Sequence, residues 1–342
     1  MTTHPGPGQP PGPSDAANAT PPGGGSAPAS GAEAAPGEKV AVGGAGRRAG
    51  RVVVVGDLAT DIVIRTDGPP AVGSDRPAQI RYSGGGAAAN TAVWLARGGV
   101  PVTLVARVGD DAPGRERVAE LVRAGVEPAV AIDTELPTAS IAVLVDGDGE
   151  RTMFPDRAAA DRLDPADVVA AVGRDDVRHL HLSGYALLDA GSRKAGLAAL
   201  DTAKQRSLTI SVDAASAAPL EAVGPARFLR WVTGVDLLLA NTAEAAVLTG
   251  LSDPSVSAAQ LAVRVATAVV KDGAGGAWWR GASGAAWVAA EPARRVIDTT
   301  GAGDAFAAGL LAAWLTGAGP AGALAAGARA GTLAVGLPGA RP

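Results

Sequence analysis

The 342-residue chain contains no cysteine and only three histidines, His4, His179 and His181. Disulfide bonds, thiolate nucleophiles and cysteine-ligated metals are therefore excluded, and neither a three-histidine zinc site nor a histidine-based triad is expected. A net charge of only −4 gives no basic footprint for nucleic acid, so a small-molecule partner is expected instead. No apolar run matches a membrane span or a signal peptide, and glycines break the helical run Ala321–Leu337, which favours a cytoplasmic location without membrane contact.

Residues 1–50 are rich in Pro, Gly, Ala and Ser and contain almost no large apolar residue. Such a segment buries too little apolar surface to offset the conformational entropy that ordering removes, so a disordered tail is predicted. From residue 51 to residue 342, apolar runs typical of strands, such as Val52–Val55, alternate with helical stretches, such as Ala87–Arg97. This alternation predicts one doubly wound α/β domain, with a mainly parallel sheet and helices on both faces.

Residues 61–83 and 138–155 interrupt this alternation. Both segments contain strand-like runs without a helix between them, and Asp146-Gly147-Asp148-Gly149 favours a hairpin turn in the second segment. Together they predict a small antiparallel sheet in addition to the main one. From the residues alone, this sheet could equally be an extension of one edge of the main sheet.

The most informative segment is residues 298–306, Asp-Thr-Thr-Gly-Ala-Gly-Asp-Ala-Phe, a polar turn that opens into an apolar helical run. Free N–H groups and the dipole at a helix N-terminus attract anions, and glycine lets a phosphate approach the backbone closely. A phosphate would repel Asp304 unless this carboxylate takes the proton of a hydroxyl that attacks the phosphate. The alternative is an ordinary helix start, with Thr299 or Thr300 as the cap and Asp304 complementing the dipole.

A second glycine-rich segment, Gly84-Gly85-Gly86-Ala87-Ala88-Ala89-Asn90, leads into a predicted helix. Its glycines allow a ligand to lie against the backbone, and the Asn90 amide offers both donors and an acceptor. The segment also satisfies the dinucleotide pattern G-x-G-x-x-A, which raises an NAD-dependent dehydrogenase as an alternative. That fingerprint belongs directly after the first strand of a βαβ unit, whereas here it follows the small sheet, so the alternative is disfavoured.

Both segments resemble the signatures of the ribokinase-like carbohydrate kinases, the PfkB family, and the resemblance extends over about Val52 to Pro342. It implies a ribokinase-like fold, in which the small sheet is a lid over the substrate and a surface for a homodimer. The implied activity is ATP-dependent phosphorylation of a hydroxymethyl group on a sugar or sugar derivative, with Mg²⁺ and a monovalent cation such as K⁺. Asp304 would be the catalytic base, and Gly301, Ala302 and Gly303 would form the anion hole.

The same resemblance implies roles for the remaining site residues. Substrate hydroxyls would contact Asp61, Gly85, Gly86 and Asn90, and Arg157 would reach a polar or acidic part of the substrate. The cofactor residues would be Asn241, Lys271, Gly273, Gly276 and Thr300 for ATP, with Asn241, Glu244 and Asp298 for metal ions. For Glu244 the alternative is simple helix capping, and for Arg157 it is an ordinary surface arginine.

The substrate is less constrained than the reaction. Ala59 and Ala87 stand where ribokinases proper carry a polar residue and a lysine, so ribose is not the favoured substrate. Another sugar, a sugar acid or a nucleoside of the pseudouridine or adenosine type remains open. A catalytically silent sugar or nucleotide sensor is the non-enzymatic alternative, although Asp304 and the glycine-rich turn before it are both intact.

Overall fold

The computed structural model describes residues 50–145 and 151–342. Residues 1–49 of the predicted tail and the predicted hairpin turn at residues 146–149 lie outside the described residues, and both stay predictions. Thirteen strands occur in the described part of the chain: β1 (Arg51–Val55), β2 (Ala59–Arg65), β3 (Gln79–Gly85), β4 (Val102–Gly109), β5 (Glu127–Asp133), β6 (Ser140–Val145), β7 (Arg151–Asp156), β8 (Val177–Ser183), β9 (Thr209–Asp213), β10 (Leu237–Asn241), β11 (Thr267–Lys271), β12 (Ala277–Gly281) and β13 (Gly284–Val288).

Eleven α-helices and two short 3₁₀ helices accompany these strands within the same described ranges. The 3₁₀ helices are Ala158–Arg162 and Gly273–Gly275. The α-helices are α1 (Ala87–Arg97), α2 (Ala112–Arg123), α3 (Pro165–Val172), α4 (Tyr185–Leu188), α5 (Arg193–Gln205), α6 (Ala217–Val223), α7 (Pro225–Val232), α8 (Thr242–Thr249), α9 (Pro254–Leu261), α10 (Ala302–Leu315) and α11 (Pro320–Val335).

The main sheet has nine strands in the order β13-β12-β11-β10-β9-β8-β1-β4-β5. The pairings from β11 to β5 are all parallel, and β12 and β13 add an antiparallel hairpin at one edge. The chain runs outward from β1 through β4 to β5, and later returns to β8 on the other side of β1. This confirms the predicted doubly wound sheet and places its switch point between β1 and β8, where ligands of such sheets bind.

Helices cover both faces of the main sheet, and β1 shows why its sequence is continuously apolar. Val53 and Val55 belong to the apolar layer that contains α3, α5 and α8, whereas Val52 and Val54 belong to the layer that contains α1, α10 and α11. Each of the four valines is at most 1% exposed. A strand buried on both faces cannot alternate apolar with polar residues, which is the pattern of parallel sheets.

The small sheet is separate from the main one and has the order β3-β2-β6-β7. It therefore is not an edge extension of the main sheet. Its two outer pairs are antiparallel, as predicted, whereas the central pair β2 and β6 runs parallel, which the sequence did not indicate. Val63, Val143 and Val145 form a buried cluster on this sheet, whereas Tyr82 and Phe154 on its outer strands are largely exposed.

The glycines of α11 do not break it, contrary to the expectation from the sequence, because they lie where α11 meets α10. A Cβ on Gly327 would come within 3.0 Å of the Phe306 carbonyl oxygen, and a Cβ on Gly309 within 2.6 Å of the Ala326 carbonyl oxygen. Glycine is used here for close approach of two helix backbones. None of the helices in residues 50–145 and 151–342 combines the length and apolar character needed to cross a membrane.

Candidate active site

Polar side chains gather where the parallel strands of the main sheet end. Asp57 follows β1, and Asp213, Asn241 and Lys271 are the last residues of β9, β10 and β11. The carboxyl ends of parallel strands meet at one edge of a sheet, so these side chains share a crevice beside the switch point. Helix α10 begins at the same crevice, since a Cβ on Gly303 would lie 3.5 Å from the Lys271 Nζ.

At the last position of the turn before α10, the backbone has a conformation that only glycine adopts easily. Gly301 has a φ of 74°, and a Cβ there would come within 2.6 Å of the Ala340 carbonyl oxygen. Gly301 is the N-cap and supplies no side chain, so neither Thr299 nor Thr300 caps the helix as the alternative interpretation required. The first-turn N–H groups of α10 have no acceptor within the helix; that of Ala302 donates to the Thr299 carbonyl oxygen at 3.3 Å, and those of Gly303 and Asp304 are available to an anion.

Asp304 lies in the first turn of α10 and is half-buried. Its Oδ2 accepts a hydrogen bond of 2.8 Å from the Nδ2 of Asn90, on α1. Burial raises the pKa of Asp304 to about 8; the Asp213 carboxylate acts in the same direction, while Asn90 and Lys271 oppose it. A carboxylate with a pKa near the working pH is suited to accept a proton during a reaction.

Lys271 supplies a positive charge beside the start of α10. Its Nζ donates a hydrogen bond of 2.7 Å to the Asp213 carboxylate. Burial opposes the charge of this lysine, but the Asp213 and Glu244 carboxylates prevail and raise the pKa of Lys271 above its ordinary value. Lys271 therefore remains a cation, next to the N–H groups that face the crevice.

Asn241 and Glu244 form a complete capping box at the start of α8. The Glu244 N–H donates to the Asn241 Oδ1 at 2.8 Å, and the Asn241 N–H donates to the Glu244 Oε2 at 2.8 Å. The structure thus contains the capping interaction that was the alternative for Glu244. Burial raises the pKa of Glu244 to about 7, and the Asp213 carboxylate adds to the effect.

Asp61 and the glycine-rich segment before α1 come together, as the sequence predicts. Asp61, on β2, is 4% exposed, and its carboxylate lies directly against Gly85, at the end of β3. Its Oδ1 has no hydrogen-bond partner among the described residues. Burial raises the pKa of Asp61 to about 6, although Arg341 opposes the shift. Gly86 follows as the N-cap of α1, beside the Asp57 carbonyl oxygen.

Arg157 is not the ordinary surface arginine of the alternative interpretation. Its side chain is 17% exposed, and its guanidinium contacts the Asp57 carboxylate at 3.1 Å and the Asp189 carboxylate at 3.3 Å. The same group lies over the Tyr185 ring, 3.9 Å from the ring centroid. Arg157 therefore has its charge balanced by two carboxylates and is held in place by an aromatic ring.

Side chains of the small sheet contact the loop that precedes α10. The Arg151 Nη1 donates to the Thr300 Oγ1 at 2.6 Å and lies 3.8 Å from the Asp298 carboxylate, while Arg65 lies 3.6 Å from the same carboxylate. The Asp298 carboxylate also accepts hydrogen bonds from the backbone N–H groups of Thr300 and Gly339. These contacts outweigh burial and lower the pKa of Asp298.

Gly273 and Gly276 form the turn between β11 and β12, directly after Lys271. The Asp272 N–H donates to the Gly276 carbonyl oxygen at 2.8 Å and closes this turn. Gly273 is exposed, whereas Gly276 is buried. The predicted ATP residues therefore divide between the crevice, which contains Lys271, and the turn that follows it.

Three residues of the site were not predicted from the sequence. Asp57 follows a strand of the parallel sheet and Asp213 ends one. This position is the signal that would have identified both residues from the sequence. Arg341 has no comparable local signal, because it lies in the irregular segment after α11. Its Nε donates to the Asn90 Oδ1 at 2.8 Å, and its Nη2 donates to the Gly85 carbonyl oxygen.

Residues 49–342 match the family described as pfkB family carbohydrate kinase. The chain is 32% identical over 294 residues to an ATP-dependent ribose-1-phosphate kinase from Halopiger xanaduensis, covering 85% of this chain and 94% of the relative. Adenosine kinase from Sinorhizobium meliloti has the same fold, with a TM-score of 0.79 and 24% identity over 86% of this chain and 96% of that one.

A structure described as a putative ribokinase II in complex with ATP and Mg²⁺, from E. coli, has a TM-score of 0.76 and 24% identity, covering 85% of this chain and 94% of that chain. These solved structures establish the ribokinase-like fold. The family match over nearly all described residues establishes the class of reaction. The chain therefore belongs to the pfkB family of carbohydrate kinases, and it is a phosphotransferase of the kind that acts on a sugar or nucleoside.

Proposed function

We propose that this chain transfers the γ-phosphoryl group of ATP to a hydroxymethyl group of a sugar or sugar derivative, with Asp304 as the general base. The observation that carries this proposal is the position of Asp304, in the first turn of α10 and beside N–H groups that can face an anion. In the step, the substrate oxygen forms a bond to the γ-phosphorus and the bond to the ADP oxygen breaks. The hydroxyl proton passes to Asp304.

The groups that would stabilise the transferred phosphoryl lie at the start of α10. The backbone N–H groups of Gly303 and Asp304 would donate to its oxygens, as would that of Ala302 on leaving the Thr299 carbonyl oxygen. Lys271 would add a positive charge beside them, since its Nζ lies near Gly303. The turn with the exposed Gly273 and the buried Gly276, and the Thr300 hydroxyl, are proposed to contact the rest of the nucleotide.

The proposed substrate groups form the other wall of the crevice. Asp61 has a buried oxygen without a partner among the described residues, which suits it to accept a hydrogen bond from a substrate hydroxyl. Gly85 and Gly86 lie beside it, and the Asn90 amide lies between it and the base. Arg157 is already balanced by two carboxylates, which favours a neutral polar group of the substrate over an acidic one.

The residues of the crevice fit Mg²⁺ held largely through water and phosphate. No cluster of three or more metal-ligating side chains is present in the part of the chain that the structure describes. Asp213, Glu244 and Asp304 nevertheless lie near one another with Lys271 as the neighbouring cation, an excess of negative charge that a divalent ion would offset. When bound, Mg²⁺ would neutralise part of the phosphate charge while retaining several waters.

The contacts of Asn241, Glu244 and Asp298 indicate how each would serve a metal ion. Asn241 and Glu244 hydrogen-bond to each other, so we propose that they orient magnesium-bound waters. The Asp298 carboxylate does not fit direct magnesium coordination, because backbone N–H groups and two guanidinium groups already surround it. A monovalent-cation site built from backbone oxygens of this loop remains a proposal, tested by turnover in K⁺ against tetramethylammonium.

The substrate and the assembly are proposed more broadly. The relative from Halopiger xanaduensis is described as acting on ribose 1-phosphate, and the fold is shared with an adenosine kinase. A phosphorylated sugar and a nucleoside therefore stand beside a free sugar as candidates. A homodimer through the small sheet is supported by the exposure of Tyr82 and Phe154, and its test is the molecular mass in solution.

A panel of sugars, sugar acids, sugar phosphates and nucleosides with ATP and Mg²⁺ tests the proposal through release of ADP. We expect turnover above the ATPase background with at least one neutral polyol-like substrate. Tight binding of a candidate without any release of ADP would instead favour the sensor.

A further inference from the structure

Arg341 reaches the crevice from the segment that follows α11, and this segment is fixed at several points. The Trp94 Nε1, on α1, donates to the Ala340 carbonyl oxygen at 3.1 Å. The Gly339 N–H donates to the Asp298 carboxylate at 3.2 Å, and Ala340 lies against Gly301 and is 1% exposed. The position of Arg341 is thus set by the same loop that begins α10.

The Arg341 guanidinium is buried and makes directed contacts with the substrate wall. Its side chain is 10% exposed, and its Nη1 lies 3.6 Å from the Glu120 carboxylate, on α2. Its Nε donates to the Asn90 Oδ1 at 2.8 Å, and its Nη2 donates to the Gly85 carbonyl oxygen. Asn90 in turn donates from its Nδ2 to the Asp304 carboxylate at 2.8 Å. The amide of Asn90 therefore bridges the guanidinium and the proposed base.

Arginine has only hydrogen-bond donors, so it determines which end of the Asn90 amide it meets. The oxygen end must face Arg341, which leaves the NH₂ end facing Asp304. Without Arg341, the amide could turn by half a rotation with little change in shape. Its oxygen would then face Asp304, repelling the carboxylate and accepting a hydrogen bond from the protonated carboxyl group.

We propose that Arg341 is a positioning residue that acts through Asn90, holding the amide in the orientation that donates to Asp304. This orientation favours the unprotonated carboxylate, the form that a general base needs. The inference rests on the proposed role of Asp304 as the base. Arg341 itself need not touch the substrate or the phosphates for this role.

Because other charged groups face Asp304, the orientation of the Asn90 amide affects how readily Asp304 carries a charge. Asp57 follows β1 and Asp213 ends β9, and both carboxylates disfavour the charged form of Asp304, as does burial. Lys271, at the end of β11, and Arg341 oppose them with positive charge. The hydrogen bond from Asn90 is the neutral interaction in this set.

The test is the pH dependence of kcat for Arg341→Met in the full chain, with the best substrate of the panel, because methionine has no hydrogen-bond donor for the Asn90 oxygen. Loss of a hydrogen bond to the charged form raises the pKa of the base, so the acidic limb should move to higher pH. A bond of this type corresponds to roughly one pH unit, so kcat below the limb should fall about tenfold. The two enzymes should converge at high pH.

Two further variants distinguish positioning from a structural effect. In an Asn90→Ala background, Arg341→Met should move the limb much less than in the parent, because only the direct attraction between the guanidinium and Asp304 is then lost. Arg341→Lys keeps a donor for the Asn90 oxygen and should restore the limb most of the way to that of the parent. Arg264→Met, at an exposed arginine after α9, serves as the control and should leave the profile unchanged.

The proposal is overturned if the limb of Arg341→Met stays in place while KM rises, since that result would indicate direct substrate contact. Additive shifts in the double variant would also overturn it, as would an Arg341→Lys limb displaced as far as that of Arg341→Met. If Arg341→Met does not fold, the lysine variant and the Asn90→Ala background still decide the outcome. Full activity of a folded Asp304→Asn variant would instead refute the base itself.

Discussion

Replacing Asp304 with asparagine tests the proposed chemistry while changing the shape of the site very little. Asparagine has the size of aspartate and can still accept a hydrogen bond from the Asn90 Nδ2, now 2.8 Å from the carboxylate. The first turn of α10 and its backbone N–H groups remain. What is lost is the ability to take a proton, which leaves the substrate hydroxyl to attack without a base.

The expected loss of kcat is roughly 10²–10⁴-fold, the usual contribution of a positioned acid or base. The stability should change in the opposite direction. Because the folded protein raises the pKa of Asp304 to about 8 from an ordinary 3.8, the charged form is less stable in the folded chain than in the unfolded chain. The unfavourable contribution grows as the pH rises from about 4 to about 8, and Asp304→Asn removes it.

Two measurements on the same variant test this reasoning: kcat from release of ADP, and the melting temperature between pH 4 and pH 8. We expect a slow enzyme whose melting temperature exceeds that of the parent increasingly as the pH rises. Misfolding cannot explain that combination, because it would lower both quantities. A folded variant with kcat within threefold of the parent would refute Asp304 as the base, and a lower melting temperature at pH 8 would refute the origin of its raised pKa.

Three further predictions follow from other parts of the molecule. Asp61→Ala should raise the substrate KM roughly 10–100-fold, from the 1.5–3 kcal/mol of a charged hydrogen bond, and should leave ATP affinity nearly intact; equal weakening of both ligands in steady-state kinetics would contradict this. Gly301→Ala should lower the free energy of unfolding in urea by at least about 1–2 kcal/mol, because Gly301 has a left-handed backbone conformation. Gly303→Ala should unfold near the urea midpoint of the parent but lose ATP turnover. Similar midpoints for the two variants would count against this account. Deletion of residues 1–48 should change neither the melting temperature nor the turnover, and a large loss of either would show that this segment contributes to the domain.

The periodic parts of the fold were predictable from the sequence, because burial dictates their residues. The buried strand β1 and the helix α1 have nearly the bounds that the sequence indicates. Strand β5 was missed, as were β12 and β13, which are five residues long each. Local patterns do not record that these residues pair with the edge of a sheet.

The candidate site, too, was predictable from the sequence only in part. The turn at residues 298–304 and the segment before Asn90 were recognisable because glycine and an adjacent polar residue are needed at fixed spacing. Arg341 was not recognisable, because its partner Asn90 is 251 residues away along the chain. A single arginine in an irregular segment carries no sign of where its guanidinium will lie. Only the packing of that segment between α1 and α10 reveals it.

The backbone contact between α10 and α11 links the position of the proposed base to a second helix. Gly309 and Gly327 let the two helices approach more closely than any side chain would permit, and Gly327 lies against Phe306, two residues after Asp304. A methyl group added at either glycine would press the helices apart, and we expect it to displace the Asp304 carboxylate. Substitutions in this contact should therefore lower turnover with every proposed reacting group unchanged.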